Sequence, residues 1–314
     1  MNTRDIIALT MVKGIGNAFI KKNINQIVLS PSLKEFLSTS NYLLDEFILN
    51  QLLEKAEVVL DECQECGYRV VDISEAGYPK MLKSISDPPA VLYMLGNTKL
   101  LDKVIAIIGT RHSSDLGNRI AEKVGKYFSG YYSICNGLVE GIDSHSIGIR
   151  GTVIPNAIGV ISGGLNYKST CSASHKKIIN EVLAAGGLII SEFEPNRKED
   201  QFSGSKVSRI QAGLSSGLIL VQSSVGGGSK YTIKEFSKLG RTIGVIHYPA
   251  NKEYFDDSFS ANHLIAEKGI DGIAQIVGLK STKTVNIKSI VVLQGQNDYD
   301  TFIGQLQDNS SFLW

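Results

Sequence analysis

No excess of charge marks this chain as a partner for a polyanion: 32 lysines and arginines stand against 31 acidic residues, and the formal net charge of its 314 residues is +1. Nucleic-acid binding then requires a local basic groove. No apolar run approaches the roughly 20 residues of a membrane span, and Arg4-Asp5 stands where a basic leader would precede a long apolar core. A cytoplasmic protein without membrane contact is expected. The four cysteines, Cys63, Cys66, Cys135 and Cys171, are too few for a disulfide framework in so long a chain, so reduced thiols are expected. Cys63 and Cys66 have the spacing of a redox or zinc pair, yet no second Cys or His pair accompanies them, and they read as helix cysteines one turn apart. His112, His145, His175, His247 and His263 are scattered without ligand spacing, which predicts no metal site. His112, Ser113 and Asp115 are neighbours in sequence, which is not triad geometry, and no G-x-S-x-G elbow follows a strand. Repeats and low-complexity blocks are missing, apart from the short Gly226–Ser229 run.

What is present is a substantial apolar fraction, 43% of residues, in an alternating pattern. Residues 1–66 read as a small helical domain carried by Ile6, Ile7, Leu9, Ile20, Ile24, Ile27, Leu43, Leu44, Phe47, Ile48, Leu52 and Leu53. Lys13-Gly14-Ile15-Gly16-Asn17 lies between two helical stretches as the turn of a helix-hairpin-helix does, where free amides meet a DNA phosphate; a plain glycine turn reads equally well. Residues 67–103 form a connector of turns and short strands. From Val104 onward the strands expected at 104–108, 132–135, 158–161, 188–191, 218–221 and 242–246 alternate with helical stretches. That order predicts a Rossmann-like, doubly wound, mostly parallel α/β sheet. Residues 281–314 are a short tail, with one further strand possible at Ile290–Leu293.

Glycine-rich or polar turns follow several strands: Gly109, Asn136-Gly137, Ser162-Gly163-Gly164 and Gly226-Gly227-Gly228-Ser229. In such sheets the ligand crevice lies beyond the carboxyl ends of the strands, so these turns should gather on one rim. The first is the most informative. Gly109-Thr110-Arg111-His112-Ser113-Ser114-Asp115-Leu116-Gly117 stands directly behind Val104–Ile108 and before the stripe Leu116, Ile120, Val124, Phe128. Helix amides freed there, with Ser114 as cap and Arg111 beside them, make a seat for an anion.

These residues and their order resemble the DNA-processing protein A family, DprA or Smf. Tyr78-Pro79, Leu82, Ile85, Asp87-Pro88-Pro89, Leu92, Tyr93 and Gly96 match its lead-in to the Rossmann-like domain. Gly109-Thr110-Arg111, Ser114 and Gly117 match its first turn, and Gly137-Leu138 with Gly141-Ile142-Asp143 its second. Gly163-Gly164-Leu165-Asn166, Gly187–Glu192, Arg209-Ile210 with Ala212–Ser215, Gly228-Ser229 with Thr232, Gly240-Arg241, and Asn262, Leu264-Ile265 and Gly269 follow in the family's order. The resemblance covers residues 67–279 or so. Departures are visible too: Val207-Ser208-Arg209 stands where the family has Arg-Asn-Arg, Ser146-Ile147 where it has Ala-His, Asn166-Tyr167-Lys168 where it has Tyr-Pro, and Gln222 where an acidic residue is common. The tail is too short for the winged helix of many members.

The resemblance implies a homodimeric single-stranded DNA-binding protein that protects its ligand and hands it to a RecA-type recombinase in DNA uptake or recombination, with no cofactor and no metal. Single strands are held by basic grooves with aromatic or backbone surfaces under the bases. The expected contacts are Gly109, Thr110, Arg111, Ser114, Gly117, Gly137, Gly163, Arg209, Gly228, Ser229, Lys230 and Thr232. Arg111 and Arg209 are backed for their planar forks, and His175-Lys176-Lys177 and Arg197-Lys198 add flanking charge. Asp143 is expected to shape the site, since a carboxylate beside a phosphate seat repels the anion. The competing class is an enzyme or nucleotide sensor. The "lonely guy" family cleaves nucleoside monophosphates with a Gly-Gly turn followed by Gly-Thr-x-x-Glu; here Thr232-Ile233-Lys234-Glu235 keeps the last part but breaks its spacing from Gly227-Gly228. A carboxylate so displaced predicts that the protein is not an enzyme.

Overall fold

The structure, a computed structural model, describes residues 1–200, 204–248 and 256–306. Four helices open the chain: α1 (Thr3–Thr10), α2 (Asn17–Leu29), α3 (Leu33–Thr39) and α4 (Glu46–Glu65). The starts of α1, α3 and α4 follow from short polar caps, while α2 starts behind Gly16 without one. The Asn2 side chain accepts from the Asp5 amide while the Asp5 carboxylate accepts from the Asn2 amide, and Ser32 and Asp45 cap α3 and α4. The apolar stripe expected from Leu43, Phe47 and Ile48 is not buried. Leu43 is 87% and Phe47 69% exposed, because α4 begins only at Glu46 and turns Leu49, Ala56, Val59 and Cys63 inward. Cys63 and Cys66 are indeed helix-end thiols one turn apart, the first buried and the second exposed.

The sheet has nine strands in the order β1-β2-β8-β7-β4-β3-β9-β10-β11. They are β1 (Arg69–Asp72), β2 (Val91–Gly96), β3 (Val104–Ile108), β4 (Ser133–Asn136), β7 (Ala157–Val160), β8 (Leu188–Ser191), β9 (Gly217–Leu220), β10 (Arg241–Ile246) and β11 (Ile287–Leu293), while β5 (Gly148–Ile149) and β6 (Thr152–Val153) form a separate small hairpin. From β8 to β11 across the sheet every pairing is parallel. The connector adds β2 antiparallel to β8, and β1 antiparallel to β2. The six strands expected between 104 and 246 thus stand within a residue of their expected places, while the one read at Ile290–Leu293 starts three residues earlier, at Ile287.

Among the described residues ten more α-helices follow: α5 (Lys80–Lys83), α6 (Asp115–Phe128), α7 (Ile142–Ile147), α8 (Tyr167–Thr170), α9 (Ala173–Ala184), α10 (Gly204–Leu214), α11 (Ser229–Phe236), α12 (Ser260–Lys268), α13 (Ile270–Ile276) and α14 (Gln296–Gln305). Strand alternation splits the core. Ala106, Ile108, Leu218 and Leu220 face Ile233, Phe236, Ile265 and Ile273 of α11–α13, whereas Ile105, Ile107 and Ile219 belong to a larger cluster with Ile120, Val124 and Phe128 of α6. That larger cluster also takes in Ile6, Ile7 and Leu9 of α1, so the opening helices share a core with the sheet. Strand β11 and helix α14 do likewise through Leu293, Tyr299 and Phe302. Phe302 is fully buried, its ring 5.7 Å from that of Phe128, in space that exists because Gly217 has no Cβ; one built there would lie 2.7 Å from the Phe302 ring.

Candidate nucleic-acid interface

Because the strands from β8 to β11 across the sheet are parallel, their carboxyl ends share one rim, and the four turns meet there. Ile108 pairs with Leu220 across β3 and β9, and the Thr110 amide donates to the Gln222 carbonyl at 2.8 Å. The chain order reverses between these two strands, which is where a doubly wound sheet opens its crevice. The four turns, however, differ in what fills them.

The first turn is closed. A Cβ at Gly109 would stand 2.4 Å from Ile142, and one at Gly117 2.0 Å from Gln222 Oε1, so both glycines serve close packing. Ser114 caps α6 by accepting from the Gly117 amide at 3.1 Å. The Ser114 amide donates to Gln222 Oε1 at 3.0 Å, and Gln222 Nε2 donates to Ser114 Oγ at 3.0 Å and to Ser258 Oγ at 2.7 Å. A side-chain amide occupies the seat that Ser114 and Gly117 were expected to offer a phosphate. Thr110 accepts locally from the His112 amide. Arg111 alone remains available here: it is exposed and makes no hydrogen bond or ion pair among the described residues.

The second turn is built on Asp143, which is 5% exposed. Its carboxylate accepts from the Gly137 amide at 2.9 Å and from the Val139 amide. Asn136 Nδ2 donates to the Asp143 carbonyl and to Ser146 Oγ. At the start of α7, Gly141 has φ +83°, and a Cβ there would lie 2.4 Å from the Thr110 carbonyl oxygen. Asp143 is therefore a site-shaping residue, and Gly137 donates to it. Burial pushes its carboxyl up to about 7, against the two amides and the Arg111 charge, which lower it. The stabilisation that goes with a raised carboxyl is complete below the ordinary value of 3.8 and lost as pH rises through about 7. Between pH 5 and 7.5 this group should cost the folded chain on the order of 2 kcal/mol, and Asp143→Asn should flatten that slope in urea denaturation at the two pH values. Equal slopes in both proteins would refute the assignment.

The third turn, Gly163-Gly164, is covered by the segment after β8. The Gly164 amide donates to the Arg197 carbonyl at 2.7 Å, and a Cβ on Gly163 would meet the Glu199 amide and Cys171 Sγ at 3.2 and 3.4 Å. Cys171, His175 and Glu199 come together here, a grouping invisible in the spacing of the histidines.

The fourth turn is the open one. Asn262, fully buried, donates through Nδ2 to the carbonyls of Leu220, Val221 and Ile246 and accepts from the Ser223 amide, pinning the end of β9. Beyond it, Gly226 and Gly228 have nothing within 4 Å of where a Cβ would stand, and no side chain caps α11. Ser229, its first residue, has a buried hydroxyl without a hydrogen-bond partner. Lys230 Nζ lies 5.4 Å from the centre of the Tyr231 ring, which is 49% exposed. Thr232 is turned inward to Ser208 Oγ at 3.2 Å, so its hydroxyl braces α10 against α11.

Arg209 is committed elsewhere. Its guanidinium forks onto Glu192 at 2.9 and 2.6 Å, and Nε donates to Asp87 at 3.1 Å. It holds carboxylates rather than phosphate. Beside it opens a cleft of about 330 Å³ lined in part by Gly16, Asn17, Tyr93, Phe193, Arg197 and Lys206. Lys206 Nζ and the Arg197 guanidinium stand 5.2 and 5.9 Å from the Phe193 ring centre. The Gly14–Gly16 hairpin packs inward on this cleft, for Asn17 Oδ1 accepts from the Ala90 amide at 3.0 Å. Sequence reading missed Phe193 and Lys206 and took Gln222 only as a departure from the family, although Phe193 and Gln222 each stand two residues beyond a strand end, where rim residues belong.

The profile of a family described as DNA recombination-mediator protein A matches residues 69–278. The chain belongs to this family. The recombination-mediator match starts at β1 and ends after α13, so it contains every turn of the rim but neither the opening helices nor β11 and α14. The DNA processing protein DprA of Bacillus subtilis is 33% identical over 204 residues, 62% of this chain and 66% of that protein. Protein Smf of a Synechocystis strain is 26% identical over 254 residues, 76% of this chain and 62% of that one. The matched part of this chain thus spans just under two thirds of each of these two relatives. Two solved structures share the fold: DNA processing protein A of Streptococcus pneumoniae, with a TM-score of 0.69 at 22% identity over 85% of this chain and 93% of that one, and that of Helicobacter pylori, described for its single-stranded DNA binding mode, with a TM-score of 0.60 at 23% identity over 76% and 97%. Among the described residues no helix is long and apolar enough to cross a membrane.

Proposed function

We propose that this recombination-mediator family member binds single-stranded DNA along the carboxyl rim of its sheet, protects it, and passes it to a RecA-type recombinase, acting in the cytoplasm as a homodimer in DNA uptake or recombination. The observation that carries this reading is the pairing of cations with aromatic faces at two stations of one rim: half-buried Lys230 with Tyr231 at the uncapped start of α11, and exposed Lys206 and Arg197, the latter also paired with Asp200, with Phe193 in the cleft. Phosphate suits the helix start, which no side chain caps, and the lysine at the first station, and a base suits the ring at the second. Arg111 stands on the same rim as a further phosphate contact. Recognition in the Helicobacter relative's single-stranded DNA binding mode supports the ligand class.

Binding is expected to favour single strands over duplex and to weaken with salt. Arg111→Ala and Phe193→Leu should each weaken it by about 1–3 kcal/mol, measured by filter binding or fluorescence anisotropy at fixed ionic strength. Unchanged affinity in both variants would sink the rim assignment, and equal affinity for duplex would shift the contact to the Gly14–Gly16 hairpin. The same reading holds the protein to be a binder without hydrolytic activity. Its support is the place of Glu235, which lies beyond the first turn of α11, held by Lys238 at 2.8 Å, and lines a different small cleft with Ser86 and Asp87. Release of free base from nucleoside monophosphates, abolished by Glu235→Gln, would overturn it.

A further inference from the structure

We propose that Cys171, His175 and Glu199 form a mononuclear metal site of the zinc class beside the third turn, with three protein ligands and a fourth position for water. Their ligand atoms lie within 4.8 Å of one another, and tetrahedral zinc asks for about 3.3–3.8 Å between ligands, so side-chain adjustments of on the order of 1 Å close the set. The residues come from two segments. Cys171 and His175 flank the break between α8 and α9, and Glu199 stands in the segment after β8.

Each ligand already has an outer partner that orients it. His175 directs Nδ1 to Glu199 Oε2 at 3.1 Å and Nε2 to the Gly137 carbonyl at 3.2 Å. With Nδ1 on a metal, the Nε2 proton is donated to that carbonyl, the outer bond that fixes the tautomer of a ligating histidine. Glu199 Oε1 accepts from the Ser172 amide at 2.7 Å, and Oε2, which faces His175 Nδ1 and accepts a long bond from Ser162 Oγ at 3.4 Å, is the oxygen turned to the ion. Thr170 Oγ1 lies 3.7 Å from Cys171 Sγ. One thiolate, one imidazole and one carboxylate is a donor set for zinc rather than for magnesium or calcium, which take oxygen alone. The alternative, a cysteine nucleophile with His175 as its base, is disfavoured because neither ring nitrogen hydrogen-bonds the Cys171 thiol: Nδ1 is directed to Glu199 and Nε2 to the Gly137 carbonyl. Binding the ion displaces the Cys171 thiol proton, and any proton on Nδ1, to solvent. Two segments that cover Gly163 would then be tied together.

The test uses the full chain, stripped with chelator and titrated with Co²⁺ and, separately, Zn²⁺. One equivalent should bind, with a thiolate-to-cobalt charge-transfer band and the strong visible bands of a four-coordinate ion. Cys171→Ser should lose the charge-transfer band, His175→Gln should weaken binding by at least about a hundredfold, and Cys66→Ser should leave both unchanged. In the wild-type chain, which needs no substitution to fold, Zn²⁺ should also raise the thermal midpoint. No cobalt–thiolate band in the wild type, its survival in Cys171→Ser, or its loss in Cys66→Ser would overturn the site. A raised midpoint without that band would do the same, since the ion would then be bound elsewhere. None of these readouts involves DNA, so they stand or fall apart from the function proposed above.

Discussion

Replacing Arg209 with alanine is expected to lower the unfolding free energy by about 3–5 kcal/mol. The side chains of Arg209 and Glu192 are only 10% and 7% exposed, and their two parallel hydrogen bonds leave the carboxylate no other comparable partner; Asn17 Nδ2 is 3.5 Å away. Removing the guanidinium leaves a buried charge. Asp87, 47% exposed, can turn to water and contributes little. Lysine should rescue poorly, because one ammonium cannot reproduce the fork. Glu192→Gln in the Arg209→Ala background should recover part of the loss by removing the stranded charge. Urea denaturation of the three variants measures this. If Arg209→Ala instead keeps its stability within about 0.5 kcal/mol and loses affinity for single-stranded DNA, the arginine serves the ligand after all.

Arg241→Met should cost a similar amount, about 3 kcal/mol or more, with no effect on DNA affinity per folded molecule. Arg241 is 3% exposed and has no carboxylate partner among its hydrogen bonds. Nη1 donates to the carbonyls of Ala212, Gly213 and Ser215 at 2.9, 2.9 and 2.7 Å, and Nη2 to the Met81 carbonyl and Ser84 Oγ at 3.0 and 3.3 Å. The carbonyls at the end of α10 have no partners within their own helix, and a cation there also meets the negative end of its dipole. Burial pushes the guanidinium down to about 10, still charged at neutral pH. Arg241 opens β10 at the edge of the sheet opposite the carboxyl rim, so denaturation should report the loss and DNA binding should not. A full-strength fold in Arg241→Met would show that water replaces the guanidinium at these carbonyls.

Local signals account for the part of this protein that its sequence determined. Apolar runs such as Val104–Ile108 and Leu188–Ser191 are strands because every side chain in them is buried on one face or the other. The glycines behind them are turns, and parallel crossovers oblige those turns to share a rim. Asp143 was legible as a turn-holder because its amide partner Gly137 is six residues away. The order of short motifs carried the family.

Only the tertiary structure decided which of the four turns stays open, because what closes the first and the third is distant in the chain, whereas the second is held locally by Asp143. Gln222 reaches Ser114 across 108 residues, and Asp87 meets Arg209 across 122. An arginine beside a glycine turn looks alike whether a phosphate or a carboxylate awaits it, and the choice fell to whichever group the fold buried against it. Phe193 met Lys206, and Cys171 and His175 met Glu199, on the same terms. The segments of Cys171, His175 and Glu199 are held side by side by the pairing of β7 with β8 and the packing of α9 on both strands, not by any local periodicity.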